Sequence, residues 1–344
     1  MVTERGLQVL RAIVQDYVET REPVGSRSIV DRYSFGVSAA TIRNDMAQLE
    51  DEELIAAPHT SSGRVPTDKG YRVFVNHLAQ LRPLSVAQRT AIESFLAAPA
   101  DLDDLMARTV RVLTQLTGQV ALAQYPSFAR AHLTHLELVA LAPNRLLVVL
   151  VTDAGGVSQR LAPLPVDVDE ADMAVLRARL SALITGRAVS DAADRLGGLL
   201  AAADSKTKDA ALHTLASVIV DELGEFRQER LVMAGAATLA RREQDFRGSI
   251  HPILEAIEEQ VTLLRLMSEM VSDEHGLATS IGTENAPFGL GEASIVASNY
   301  AAPSGTARVG VMGPTRMDYP SNLAAARAVA RYLSRLLDED EGSR

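Results

Sequence analysis

The side chains best suited to chemistry in this 344-residue chain lie near its start, in Ser38-Ala39-Ala40-Thr41-Ile42-Arg43-Asn44. Arg43 can bond a guanine edge through two donors, and Asn44 an adenine edge through a donor and an acceptor. Thr41 can meet a phosphate or a thymine methyl. Small Ala39 and Ala40 leave room for close approach, and Ser38 can cap a helix whose N-terminus favours a phosphate. Further on, Pro58-His59-Thr60-Ser61-Ser62-Gly63-Arg64 offers hydroxyls, a glycine that permits close backbone approach, and a guanidinium. These are groups that grip a phosphate backbone. Lys69 and Arg72 add positive charge beside it, and Ser26 and Arg27 supply another hydroxyl and guanidinium upstream. The expected chemistry is recognition of duplex DNA, with bases read by one helix and phosphates held around it.

Other candidates have plainer readings. His132-x-x-His135 is the one close histidine pair, and on a helix it could hold a metal. It opens a segment of strand character, however, where residues three apart point to opposite faces. No metal site is expected. Asp101, Asp103 and Asp104, and then Asp167, Asp169, Glu170 and Asp172, could bind a cation or exchange protons. Both groups fall at helix starts, where carboxylates complement the helix dipole. Gly155-Gly156 and Gly310-x-x-Gly313-Pro314-Thr315 lack the spacing of a phosphate-cradling motif and read as turns. There is no Gly-x-Ser-x-Gly elbow. No catalytic residue and no cofactor is expected, so the chain reads as a binding protein and not an enzyme.

The elements that must position the first group follow from apolar spacing. Leu7, Leu10, Ile13, Val14, Tyr17 and Val18 predict a helix over 3–20. Ser26 is expected to cap a short helix over 27–33 with Ile29, Val30 and Tyr33 inward. Ser34-Phe35-Gly36 is a turn, and a third helix runs over 39–53 on Ile42, Met46 and Leu49. Leu54 to Ala57 reads as a strand, Val65 as its return, and Tyr71 to Leu78 as a closing helix. Three helices with a tight second turn, followed by a hairpin, make a winged helix-turn-helix pattern. Beyond residue 80, helices are expected over 84–96 and 101–118. Strands follow over 135–141, 145–151 and 157–163, then a helix over 169–185. Strands return over 277–281, 293–300 and 307–312 before a last helix over 320–337. The two groups of strands suggest one α+β antiparallel sheet domain built from both halves of the chain. The Ala-rich helical stretch over 187–230 interrupts it.

Composition sets bounds on this reading. There are 34 Lys+Arg against 44 Asp+Glu, a net charge of -10, and no Cys or Trp. The absence of Cys removes disulfides, thiolate metal sites and thiol nucleophiles. No charge-free apolar run is long enough to span a bilayer, and the N-terminus is not a signal peptide, so a cytoplasmic, nucleoid-associated protein is expected. The acidity argues at first against DNA, which normally selects a basic footprint. Residues 1–80, however, hold 9 Lys+Arg against 11 Asp+Glu, so most of the negative charge lies further on.

Ser38 to Met46, the stretch Pro58 to Thr67 and Gly70-Tyr71-Arg72 closely resemble the heat-inducible transcription repressor HrcA family of bacteria. Ile281-Gly282-Thr283-Glu284-Asn285 and Gly313-Pro314-Thr315-Arg316-Met317-Asp318-Tyr319 resemble its C-terminal blocks. One departure is Asp51-Glu52-Glu53-Leu54, where a Gly is expected before the first strand of the wing. The resemblance implies a winged helix over 1–80 and a GAF-like domain over 81–186 and 231–344, with an inserted dimerisation domain over 187–230. It further implies a homodimer that binds the CIRCE inverted repeat upstream of chaperone operons, with the chaperonin GroEL as the partner that keeps it active. The alternative is a metabolite-responsive regulator using the GAF-like domain as sensor.

Overall fold

The apolar stripes of the first 80 residues meet in one small core. The computed structural model describes residues 2–59, 63–78, 83–126, 131–201, 210–227, 230–241, 243–246, 248–302 and 305–342. In it α1 (Glu4–Thr20), α2 (Ser26–Arg32) and α3 (Ala39–Asp51) pack on one another. Val9, Leu10, Ile13, Val14, Ile29, Ile42, Met46 and Leu49 are all buried. Thr3 caps α1 by accepting from the Gly6 N–H, and Ser38 caps α3 by accepting from the Thr41 N–H. Ser26 does not cap α2; it is the first residue of the helix, and Gly25 stands at the cap with no side-chain bond. Strands β1 (Ile55–Ala56) and β2 (Val65–Pro66) pair antiparallel, Ile55 opposite Pro66 and Ala56 opposite Val65. Helix α4 (Asp68–Asn76) follows, capped by Thr67. Glu53 occupies the turn before β1 with φ of 60°. That is the left-handed conformation for which a Gly was expected there.

Helices α5 (Val86–Leu96) and α6 (Leu102–Thr117) lead to β3 (Val120–Gln124). Ser85 and Gln88 form a capping box on α5. The chain then leaves that strand. It builds β4 (Leu133–Ala142), β5 (Arg145–Thr152) and β6 (Val157–Pro163), a separate antiparallel sheet of order β4-β5-β6. Helices α7 (Glu170–Ile184), α8 (Val189–Ala201) and α9 (Ala210–Arg227) follow. Leu136, Leu138, Leu146, Val148 and Leu150 of the sheet share one core with Leu180, Leu196, Leu212 and Leu215 of the helices. The Tyr125 N–H donates to the Arg230 carbonyl at 2.8 Å, so the segment's two ends lie side by side.

The chain returns in β7 (Leu231–Ala234), followed by α10 (Ala236–Arg241), α11 (His251–Glu259) and α12 (Val261–Glu269). Strands β8 (Leu277–Ile281), β9 (Ala293–Ala302) and β10 (Gly305–Pro314) and helix α13 (Tyr319–Gly342) complete it. The second sheet has the order β7-β3-β10-β9-β8, with antiparallel registers recorded between β3 and β10 and between β8 and β9. Val120 and Leu122 join a core with Ile253, Leu263, Leu266 and Met267, while the alternate Ala121 and Ala123 are buried as well. Both faces are therefore covered.

The protein is thus a mixed α+β chain with antiparallel sheets. The expected single sheet from both halves is two sheets, because among the described residues the strands over 133–163 pair only with one another. The interruption of the five-stranded sheet runs from Tyr125 to Arg230 and includes those strands, whereas 187–230 was expected. One compact unit comprises Met1–Ala123, Leu231–Asn299 and Arg308–Tyr332; the other comprises Gln124–Arg230, Tyr300–Ala307 and Leu333–Arg344. Gly310 and Gly313 lie inside β10 and not in a loop. No described helix is long and apolar enough to cross a membrane.

Candidate nucleic-acid interface

Helix α3 divides cleanly into two faces. Ile42, Asp45, Met46 and Leu49 are buried, while Ala40, Arg43 and Asn44 are exposed, as are Ala47 and Gln48 one turn on. Thr41 and Ala39 are half-buried at the helix start. Arg43 and Asn44 therefore stand on the outward stripe that their spacing predicts. Gln48 extends it, four residues past Asn44, and could have been read from the same periodicity. The Ser38 hydroxyl is engaged by the Thr41 N–H and lies 3.1 Å from the Thr41 hydroxyl. Its role in the structure is capping.

Two buried carboxylates hold this head together. Asp45, on the inner face of α3, accepts from Arg5 Nε at 2.7 Å and from a terminal Arg5 nitrogen at 3.0 Å. Asp16, inside α1, accepts from the Tyr33 hydroxyl at 2.9 Å and pairs with Arg32 at 3.3 Å. Burial, and then the bond to Asp16, push the Tyr33 phenol up to about 12, so it remains a donor. Arg5, Asp16 and Asp45 were not singled out in the sequence, because pairings across 40 and 17 positions leave no local pattern.

Around the hairpin the structure separates residues that the sequence grouped. His59 is exposed, and Thr60, Ser61 and Ser62 lie outside the described residues. Gly63 serves packing: a Cβ there would come within 2.6 Å of the Pro23 and Val24 backbone. Arg64 bridges Val24 through two backbone bonds of 2.9 Å, and its guanidinium sits 2.8 Å from Glu50. Lys69 donates to the Glu52 carbonyl at the end of α3 at 2.8 Å. Arg72 belongs to α4 and turns away from the hairpin, donating from Nε to Glu284 at 2.7 Å. Ser26 is half-buried and Arg27 exposed at the start of α2.

The remaining candidates are accounted for locally. His132 pairs with Asp153 and His135 with Glu137, in separate contacts. Among the described residues no three His, Cys, Asp or Glu groups come together to hold a metal ion. Asp101 caps α6 and Asp169 caps α7. Asp104 pairs with Arg108, whose guanidinium holds its carboxyl below the usual range, helped by the Ala100 N–H. Gly155 takes φ of 77° in the turn between β5 and β6.

A small helical head with an outward arginine and amide stripe, braced from within by ion pairs, has the make-up of a transcription regulator. The comparisons agree. Residues 103–322 match the family model described as HrcA protein C terminal domain. The heat-inducible transcription repressor HrcA of Clavibacter michiganensis subsp. michiganensis is 62% identical over 340 residues, 98% of this chain and all of that one. Its counterpart in Leifsonia xyli subsp. xyli is 60% identical over the same coverage. A crystal structure titled as a hypothetical protein shares the fold with a TM-score of 0.66 at 24% identity, over 98% of this chain and 99% of that one. The chain belongs to the HrcA family of heat-inducible transcription repressors.

Proposed function

We propose that the protein represses chaperone and chaperonin operons by binding the CIRCE inverted repeat as a homodimer. The observation that carries this is the outward stripe of α3, Ala40, Arg43, Asn44 and Gln48, set beside the β1–β2 hairpin. In this reading residues 1–80 are a winged helix-turn-helix. Arg43 and Asn44 read bases in the major groove, with Ala39, Ala40 and Thr41 at the helix end closest to it. Ser26, Arg27, Ser38, His59, Thr60, Ser61, Ser62, Gly63 and Arg64 line the phosphates. The five-stranded sheet with its helices is the GAF-like domain.

The Gln124–Arg230 segment is the natural dimerisation module. The outer face of its sheet carries two apolar rows: Val139, Leu147 and Leu161 form one, Val151 and Val157 pair in the other, and Glu137, Val149 and Gln159 form the row between them. Val139, Leu141, Val157 and Leu161 are 41%, 53%, 56% and 55% exposed. A second copy of the chain is the occupant that an inverted repeat calls for. The family resemblance supplies the regulatory arm. Chaperonin GroEL keeps the repressor competent, and unfolded protein that occupies GroEL during heat stress relieves repression.

The test is operator binding by fluorescence anisotropy. Arg43→Ala and Asn44→Ala should each weaken binding by about 1–3 kcal/mol and relax preference at one base position. Unchanged affinity for both native and mutated operators would remove α3 as the reading element. Restored binding of heat-treated protein only in the presence of GroEL would support the chaperonin arm.

A further inference from the structure

Three sequence blocks that play no part in the reading stripe converge in the structure, all within the unit that contains the head. At α4, Arg72 donates from Nε to Glu284 at 2.7 Å, reaches the second Glu284 oxygen, and bonds the Thr279 carbonyl at 2.8 Å. The Glu284 carboxylate also accepts from the Ile281 N–H at 2.9 Å. Asp68 accepts from the Thr283 N–H at 2.9 Å. Gly282 is seated so closely on Asp68 that a Cβ would overlap its carboxylate. The rings of Tyr71 and Tyr319 lie 5.5 Å apart between centroids.

A second pin stands at the end of α1. Arg316 donates to the Tyr17 and Val18 carbonyls at 3.4 and 3.2 Å, and pairs with Asp245. The Tyr17 carbonyl also accepts from the Arg21 N–H at 3.0 Å, and a cation beside these last carbonyls of α1 complements the helix dipole. Arg21 binds the other Asp245 oxygen at 3.2 Å. Asp245 and Arg316 are 3% and 11% exposed. A cavity of about 350 Å³ opens here, lined in part by Tyr17, Arg21, Asp245 and Arg316. The charged groups at 21, 245 and 316 are joined to one another, which marks a fastening and not a ligand site.

We propose that Arg72 with Glu284, and Arg316 with Asp245, are positioning residues. They lock the head to the five-stranded sheet in the single orientation from which two heads of a dimer reach both halves of an inverted repeat. A partly exposed pair such as Arg72–Glu284 adds little stability, but a guanidinium held by two carboxylate oxygens and a carbonyl fits one direction only. An apolar contact of the same size would tolerate sliding. The two pins stand on different elements, α4 and the end of α1, so together they remove rotation as well as separation. The block at 67–72 supplies the head side of the first pin, while those at 281–285 and 313–319 supply the sheet side of the two pins.

The proposal rests on the operator reading above, so the test has two arms. The chain has no Cys, so Gln8→Cys and Glu258→Cys, both exposed and neither on the reading stripe, can carry spin labels across the joint. Pulsed electron resonance should give one narrow distance in the otherwise native protein. It should give a broadened distribution in Arg72→Gln, Glu284→Gln and Asp245→Asn. In the second arm, Arg72→Gln and Glu284→Gln should lower affinity for the full inverted repeat tenfold or more, leaving affinity for a single half-site unchanged. The double variant should be no worse than either single one. A purely structural role would lower both affinities together. Narrow, unshifted distances in the variants, or undiminished full-repeat binding, overturn the proposal. A native protein that does not distinguish operator from scrambled DNA overturns the operator reading instead, and the distances then still decide whether the joint is locked.

Discussion

Arg64 and Glu50 lie 2.8 Å apart, with about a third of each side chain exposed. A pair so exposed is worth at most about 1 kcal/mol, so a phosphate can replace the carboxylate at small cost. Glu50→Gln should then tighten binding to every duplex sequence alike. Arg64→Ala should loosen it alike and reduce the slope of log affinity against log salt by about 1. A salt slope unmoved by Arg64→Ala would assign this arginine to holding α3 against the hairpin. Glu53 offers a cleaner test of backbone chemistry. It is a non-glycine residue at φ of 60°, a conformation that costs an L-residue roughly 1–2 kcal/mol. Its weak contact with Lys69, at 3.5 Å, gives little back. Glu53→Gly should raise the melting temperature of the protein in a thermal scan, with operator affinity unchanged. A lower melting temperature would mean that the Lys69 contact outweighs the strain.

At the scale of the elements, α3 is aimed by its buried side. Asp45 is nearly inaccessible and is held by two bonds from Arg5. Arg5→Ala would strand a carboxylate in the core, at a cost of about 1–3 kcal/mol. The expected result is a lower denaturation midpoint and weaker operator binding, although Arg5 itself lies off the reading stripe. Arg5→Lys, keeping charge but losing the two-donor geometry, should fall between. Equal stability of all three proteins would show that Asp45 finds water instead. This brace was hidden in the sequence, whereas the stripe it aims was plain. Ile42, Met46 and Leu49 recur at helical spacing, and Ser38 and Thr67 announce their caps locally. Asp45 meets Arg5, and Arg72 meets Glu284, only because the chain folds back, and no local rule pairs them. Strand β3 escaped for a related reason. Val120 to Gln124 is buried at every position, so the alternation that reveals a half-exposed strand is absent. The strands over 133–163 were visible through alternation, but alternation does not say which sheet a strand joins.

Across the whole molecule, the proposed dimer links charge to symmetry. The head carries more Asp and Glu than Lys and Arg, Arg72 is held by Glu284, and Lys69 is held by the Glu52 carbonyl. Little cationic surface remains to supply sequence-independent attraction, which elsewhere accounts for most non-specific binding. A single head contacting one half-site should therefore bind weakly. In the proposed dimer, two heads joined through the Gln124–Arg230 module would act at high effective concentration, and such linkage multiplies affinity by about 10²–10⁴ without any new contact. Leu161→Glu, which puts a charge into the apolar row with Val139 and Leu147, should yield monomers by light scattering. Its binding to the full repeat should fall by that same factor, to the level of a half-site. Residues of the reading stripe are untouched by this change, so base preference at the half-site should persist. If the protein stayed dimeric, the sheet face would not be the seam. If it became monomeric and still bound the full repeat as tightly as before, one head would suffice and the coupling of charge to symmetry would be wrong.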